Sequence, residues 1–139
     1  MSAYEGTAKK PRPRISPDNK PFWDGCRRHQ LLLPFCRDCG QAHLPPGPVC
    51  PHCFSARLDW RPASGRGRIS TWTVVHKPWF AAFAADIPYN VVQVELEEGP
   101  RLTSNIVDAA GRRLEVGQAV RVVFDDVDDE LTLPRFLLA

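Results

Sequence analysis

The sequence predicts a mostly β protein in two parts, a short helix with a cysteine-rich ribbon followed by a small barrel of about five strands. Three observations lead there. Fourteen prolines in 139 residues are too many for a long-helix bundle, because proline lacks an amide hydrogen and clashes with the preceding helical turn. Four of the five cysteines fall in two C-x2-C pairs between residues 36 and 53. Beyond residue 64, apolar and polar residues alternate in short segments, which is the period of half-buried strands. With 43% hydrophobic and 24% charged residues, the chain can bury a modest core and does not have a disordered composition.

The elements follow in order. Residues 1–15, rich in Lys, Arg and Pro, read as a flexible basic arm with little to bury. A short helix is expected over residues 17–29. Ser16 is placed to cap it, Pro17 suits its first position, and Asp18 matches the positive end of its dipole. Phe22, Trp23 and Cys26 then form one apolar stripe, and Pro34 stops any continuation. Residues 35–62 lack periodicity and hold the cysteine pairs. Ser64-Gly65-Arg66-Gly67 is a turn-rich junction, so the chain divides into an arm (1–15), a helix and ribbon (16–62) and a barrel (63–139). Strands are expected over residues 69–76, over 91–97 where Val92, Val94 and Leu96 alternate with polar neighbours, and through Leu102, Ser104 and Ile106. Gly99-Pro100 makes a hairpin between the last two. Val120, Val122 and Phe124 share one face of a further strand entered from a turn at Gly117.

Cys36-Arg37-Asp38-Cys39-Gly40 and Cys50-Pro51-His52-Cys53 carry the strongest chemical signal. Two residues between thiolates let both sulfurs of a tight turn point at one ion, and Gly40 supplies the positive φ just after the turn. Cys36, Cys39, Cys50 and Cys53 together make a closed tetrahedral site with no open position for water, so the ion is expected to be structural Zn2+. Iron suits four thiolates as well. The spacing outweighs a pair of redox dithiols, which would need a βαβ context. His43 and His52 are surplus to a full shell, and Cys26 reads as a half-buried small hydrophobe.

Charge narrows the function. Residues 1–79 carry 13 basic and 5 acidic side chains, whereas residues 80–139 carry 5 and 11. A ribbon joined to a small barrel suggests a nucleic-acid binder as one alternative. However, the acidic cluster Asp125, Asp126, Asp128, Asp129 and Glu130 repels a phosphate backbone. No Ser–His–Asp order, phosphate loop or HExxH is present, so the chain is not expected to be an enzyme by itself. No apolar stretch is long enough for a membrane span or a secretory leader, which predicts a cytoplasmic protein with reduced thiols.

One stretch, residues 78–89, is nearly all apolar and lies between two expected strands. As a loop it would expose Trp79, Phe80 and Phe83, the mark of a partner surface. As a short helix it would plug the end of the barrel.

The order of these motifs resembles a known family. Phe22-Trp23 precedes Leu33-Pro34-Phe35-Cys36-x-x-Cys39-Gly40, then Pro45-Pro46 and Cys50-Pro51-x-Cys53. Trp60, Ser64-Gly65-x-Gly67-x-Ile69, Thr73-Val74-Val75-His76, Pro88-Tyr89, Val94-x-Leu96-x-Glu98-Gly99, Gly117-x-x-Val120 and Leu133-Pro134-x-Phe136 follow. It is similar to the acyl-CoA-associated family that joins a rubredoxin-like zinc ribbon to a C-terminal OB-fold. The resemblance implies a non-catalytic accessory subunit of a thiolase-superfamily enzyme (a thiolase or aldolase), or of a hot-dog-fold hydratase. Such a subunit stabilises its partner and helps form or bridge its acyl-CoA site, in β-oxidation, side-chain degradation or polyketide-like acyl transfer. It implies that the nucleophile and base come from the partner, and that a CoA thioester is shared with it. Arg66, Arg68 and Lys77 are the side chains here that suit CoA phosphates.

Overall fold

In the computed structural model, which describes residues 9–139, the chain first forms a helix at Lys20–Arg27 (α1). This is shorter than the expected span of 17–29. Residues 17–19 make a turn, with the Lys20 amide donating to the Ser16 carbonyl at 2.8 Å. Pro21, not Pro17, therefore stands in the first turn, where its missing amide hydrogen leaves no helical bond unmade. The helix stops where His29 takes a left-handed φ of 59°. That conformation lets the Gln30 amide reach the Gly25 carbonyl and the His29 amide reach the Cys26 carbonyl, each at 2.9 Å. These two bonds are the six-residue cap of a helix C-terminus. Gly25 is needed for packing, because a Cβ there would lie 2.8 Å from Leu32 Cγ.

Strands β1 (Leu32–Cys36) and β2 (Leu58–Pro62) pair antiparallel, with Pro34 opposite Trp60. Sequence periodicity misses this ribbon hairpin because Leu32, Leu33 and Pro34 are all buried and do not alternate. Five strands follow: β3 (Arg66–Val75), β4 (Tyr89–Leu96), β5 (Arg101–Ser104), β6 (Ala119–Asp126) and β7 (Thr132–Leu138). Their order is β5-β4-β3-β6-β7 with every pairing antiparallel. A parallel bridge between Ile106 and Phe136 brings the two ends of the sheet together. There the Phe136 amide donates to Asn105 and the Val107 amide to Phe136, at 3.0 and 2.9 Å. This curled five-stranded sheet is the OB-fold barrel that the resemblance implied. No alternation announces β7, and Pro134 sits inside it, a residue tolerated at a sheet edge.

Ile69, Val92, Val94, Leu96, Val120 and Phe136 fill the barrel and are 0–2% exposed. Phe22, Cys26 and Leu33 join the same cluster, so helix and ribbon share one core with the barrel. The uneven charge of the sequence becomes complementarity within the fold. Lys10 meets Asp86 at 2.6 Å, Arg12 meets Asp128 at 2.8 Å and His29 meets Asp126 at 2.9 Å. Arg27 donates to the Asp129 carbonyl at 3.0 Å. Such exposed pairs orient segments more than they stabilise them. Residues 1–8 of the expected arm lie outside the described residues. Residues 9–15 form no helix or strand, but two of them are held by these pairs. No helix among the described residues is long and apolar enough to cross a membrane.

Candidate functional site

The two C-x2-C turns are near copies of each other. In the first, the Gly40 amide donates to the Cys36 carbonyl at 2.9 Å; in the second, the Phe54 amide donates to the Cys50 carbonyl at 2.8 Å. Backbone amides also face sulfur, with Cys39 N 3.5 Å from Cys36 Sγ and His52 N 3.4 Å from Cys50 Sγ. Hairpin β1–β2 anchors the base of the first turn. The Asp38 carboxylate ties the turns together, accepting from Ser55 Oγ and, at 3.0 Å, from Arg57.

This scaffold brings Cys36, Cys39, Cys50 and Cys53 together, with all four sulfurs within 4.8 Å of one another. Cys36 and Cys53 stand 3.5 Å apart and Cys39 and Cys50 3.6 Å. A tetrahedron of Zn–S bonds of ~2.3 Å has an edge of about 3.8 Å, so the four thiols fit an ion at their centre. None of the five cysteines is in a disulfide. Amides of Cys39 and Asp38 hold the Cys36 thiol down to about 6. The Ser55 amide favours a Cys53 thiolate, but the Cys36 thiol and burial push Cys53 up to about 12. One negative charge forms readily in this cluster and the next is resisted, which is the imbalance that a bound dication removes.

The surplus groups fall outside the cluster. Cys26 is fully buried, not half-buried, because it faces the shared core from α1; burial pushes its thiol up to about 12 and leaves it inert. His52 is exposed. His43 is 4% exposed and is kept below its ordinary value by burial and by His52. Arg66 and Lys77 sit at opposite ends of β3, so one phosphate cannot take both. Arg66 pairs with Glu97 at 2.8 Å, Arg68 donates to the Gly117 carbonyl at 3.0 Å, and the Lys77 ammonium lies 4.4 Å from the centre of the Trp79 ring.

The apolar stretch is an exposed loop with one short 3-10 turn at Ala81–Phe83, none of whose residues is buried. It does not plug the barrel. Trp79 is 67% and Phe80 59% exposed. Phe83 is half-buried against Tyr89, with ring centres 6.0 Å apart, beneath the Lys10 ammonium. Sequence reasoning missed Phe54, which is 77% exposed with a φ of 66°. The signal was available, since Phe54 follows the second C-x2-C pair as Gly40 follows the first.

Fold and site together define a class, an OB-barrel protein carrying a four-cysteine ribbon with an exposed aromatic loop. Residues 23–59 match the family described as "ChsH2, rubredoxin-like zinc ribbon domain", and residues 60–125 match "ChsH2, C-terminal OB-fold domain". A "DUF35 domain-containing scaffold protein" of Methanothermobacter thermautotrophicus is 38% identical over 105 residues, 75% of this chain and 78% of that protein. A "Probable enoyl-CoA hydratase alpha subunit" of Thermomonospora curvata is 40% identical over 129 residues, 93% of this chain. This chain spans only 40% of that subunit's length. Among solved structures, a chain of the "Ltp2-ChsH2(DUF35) aldolase" is 38% identical with a TM-score of 0.81, covering 91% of this chain and 98% of that one. The protein belongs to the ChsH2/DUF35 family of zinc-ribbon and OB-fold proteins.

Proposed function

We propose that the chain is a non-catalytic accessory subunit that docks on a thiolase-superfamily enzyme, a thiolase or aldolase, and helps form its acyl-CoA site. The observation that carries this reading is the near full-length likeness to a chain of an aldolase assembly, at 38% identity and a TM-score of 0.81. Kinship with a hydratase alpha subunit makes a hot-dog-fold hydratase the second candidate partner. Trp79 and Phe80 supply the apolar anchor, since exposed aromatic clusters mark interfaces, and Phe83 braces them from the barrel side. Arg66, Arg68 or Lys77 then contributes charge to a CoA thioester shared with the partner. Cys36, Cys39, Cys50 and Cys53 hold structural Zn2+. The cytoplasm is the proposed compartment, because reducing conditions keep the four thiolates available to the ion.

Co-expression with thiolase-superfamily enzymes of the same organism, followed by purification through a tag on this chain, tests the reading. The expected result is a stoichiometric complex that Trp79→Ala with Phe80→Ala weakens at least tenfold. Recovery of RNA in place of an enzyme would instead favour an oligonucleotide-binding OB-fold.

A further inference from the structure

The second half of β3 has no neighbour on one side. β3 pairs with β6 only at Arg66, Gly67 and Arg68. Ile69 is then met by the loop, accepting from the Gly117 amide at 2.7 Å and donating to the Gln118 carbonyl at 3.0 Å. From residue 70 to 75, the edge toward β6 meets no strand among the described residues, while the other edge stays paired to β4 as far as Val75 and Tyr89.

The side chains report the same gap. Ile69 lies opposite Val94, Trp72 opposite Val92 and Val74 opposite Asn90, and directly opposed residues share a face of a sheet. Trp72 and Val74 are therefore on the core face. Yet each is 38% exposed, whereas Ile69, Val92 and Val94 are 0–1% exposed. Between them and the Val123–Phe124 wall of β6 lies a cleft of about 860 Å³, bordered by the exposed Arg112 and Arg113 and, on the β6 side, by Asp125 paired to Arg135 at 2.8 Å.

We propose that this open wall receives an extended, acid-bearing segment of the partner enzyme, which adds a strand between β3 and β6. The inference rests on the accessory-subunit reading for the partner's identity. The occupant follows from what is left unmet. An unpaired strand edge offers amides and carbonyls at strand spacing, which an extended backbone satisfies and a helix, bonded to itself, does not. Residues 70–75 read Ser-Thr-Trp-Thr-Val-Val, with none of the lysines, prolines or charges that guard a free edge against pairing. Arg113, together with Arg112 once it exchanges its 3.4 Å contact with Asp108, selects carboxylates on the incoming segment.

Hydrogen exchange on the full chain, alone and in the co-expressed enzyme complex, tests the proposal. The expected result is that amides of residues 70–75 that exchange quickly in the free chain slow at least tenfold in the complex. Arg112→Glu with Arg113→Glu should weaken the complex at least tenfold. Protection confined to residues 78–86, with 70–75 unchanged, would overturn strand addition while leaving the accessory role standing. Unchanged affinity of the double-arginine variant would overturn the acidic character of the segment. Absence of any complex would overturn both readings.

Discussion

The ribbon and the barrel are held together by different means. Between residues 37 and 58 only Ala42, His43 and Cys50 are buried, so the turns of the ribbon have almost no apolar interior. Their shape depends on four sulfurs meeting at one point. The barrel has the opposite constitution, with six strand residues from Ile69 to Phe136 almost fully withdrawn from water. A short chain can thus reserve its apolar residues for one core and organise the rest around an ion.

Metal removal should give the largest effect. Ribbon metal sites supply on the order of 10 kcal/mol of folding free energy. A strong chelator, or Cys50→Ser, should abolish exchange protection in residues 36–58 and release about one ion per chain by elemental analysis. Protection that survives full metal loss would erase the contrast between the two regions. Next comes the barrel. Phe136→Ala should cost about 3–5 kcal/mol by denaturant unfolding, because a fully buried aromatic leaves a cavity. The same unfolding curve should show the ribbon affected too, since Phe22 and Leu33 belong to that core.

A smaller effect sharpens the comparison within the ribbon. Phe54 holds the left-handed conformation that glycine occupies in the sister turn. Phe54→Gly should therefore raise stability by roughly 1–2 kcal/mol, read as a higher melting temperature of the metal-loaded chain. A lower melting temperature would mean that the exposed ring contributes packing after all. The smallest effect concerns the arm. Hydrogen bonds from Arg12 and from the Glu130 and Leu131 amides hold the Asp128 carboxyl at about 2, below its ordinary 3.8. Because the folded value is depressed, the Arg12–Asp128 contribution to the arm's attachment is complete above pH 3.8 and is lost as pH falls through about 2. NMR titration of Asp128 and the Arg12 guanidinium should show a joint transition near 2, and a midpoint at 3.8 would contradict the pairing.

Much of this was legible in the residues themselves. The C-x2-C spacing announces the sulfur cluster, and the alternation of Val92, Val94 and Leu96 announces β4. Hairpin β1–β2 was hidden because Leu32, Leu33 and Pro34 are buried together, which cancels the period that marks a strand. β7 was hidden because Pro134 argues against a strand wherever both edges are paired. Local capping rules start the helix at Pro17 and not at Lys20, because two prolines compete for its first turn and those rules do not decide between them. Trp72 and Val74 read as ordinary strand residues. Their exposure arises only because β3 and β6 separate after Arg68, a tertiary fact with no local signature.

Reconstitution separates an accessory subunit from an independent enzyme. Thiolytic or retro-aldol activity toward acyl-CoA thioesters is measured for the enzyme alone, this chain alone, and both at equal concentration. No turnover is expected from this chain alone, weak or unstable turnover from the enzyme alone, and full activity only when they are combined. Turnover by this chain alone, or an enzyme equally active without it, would contradict an accessory role.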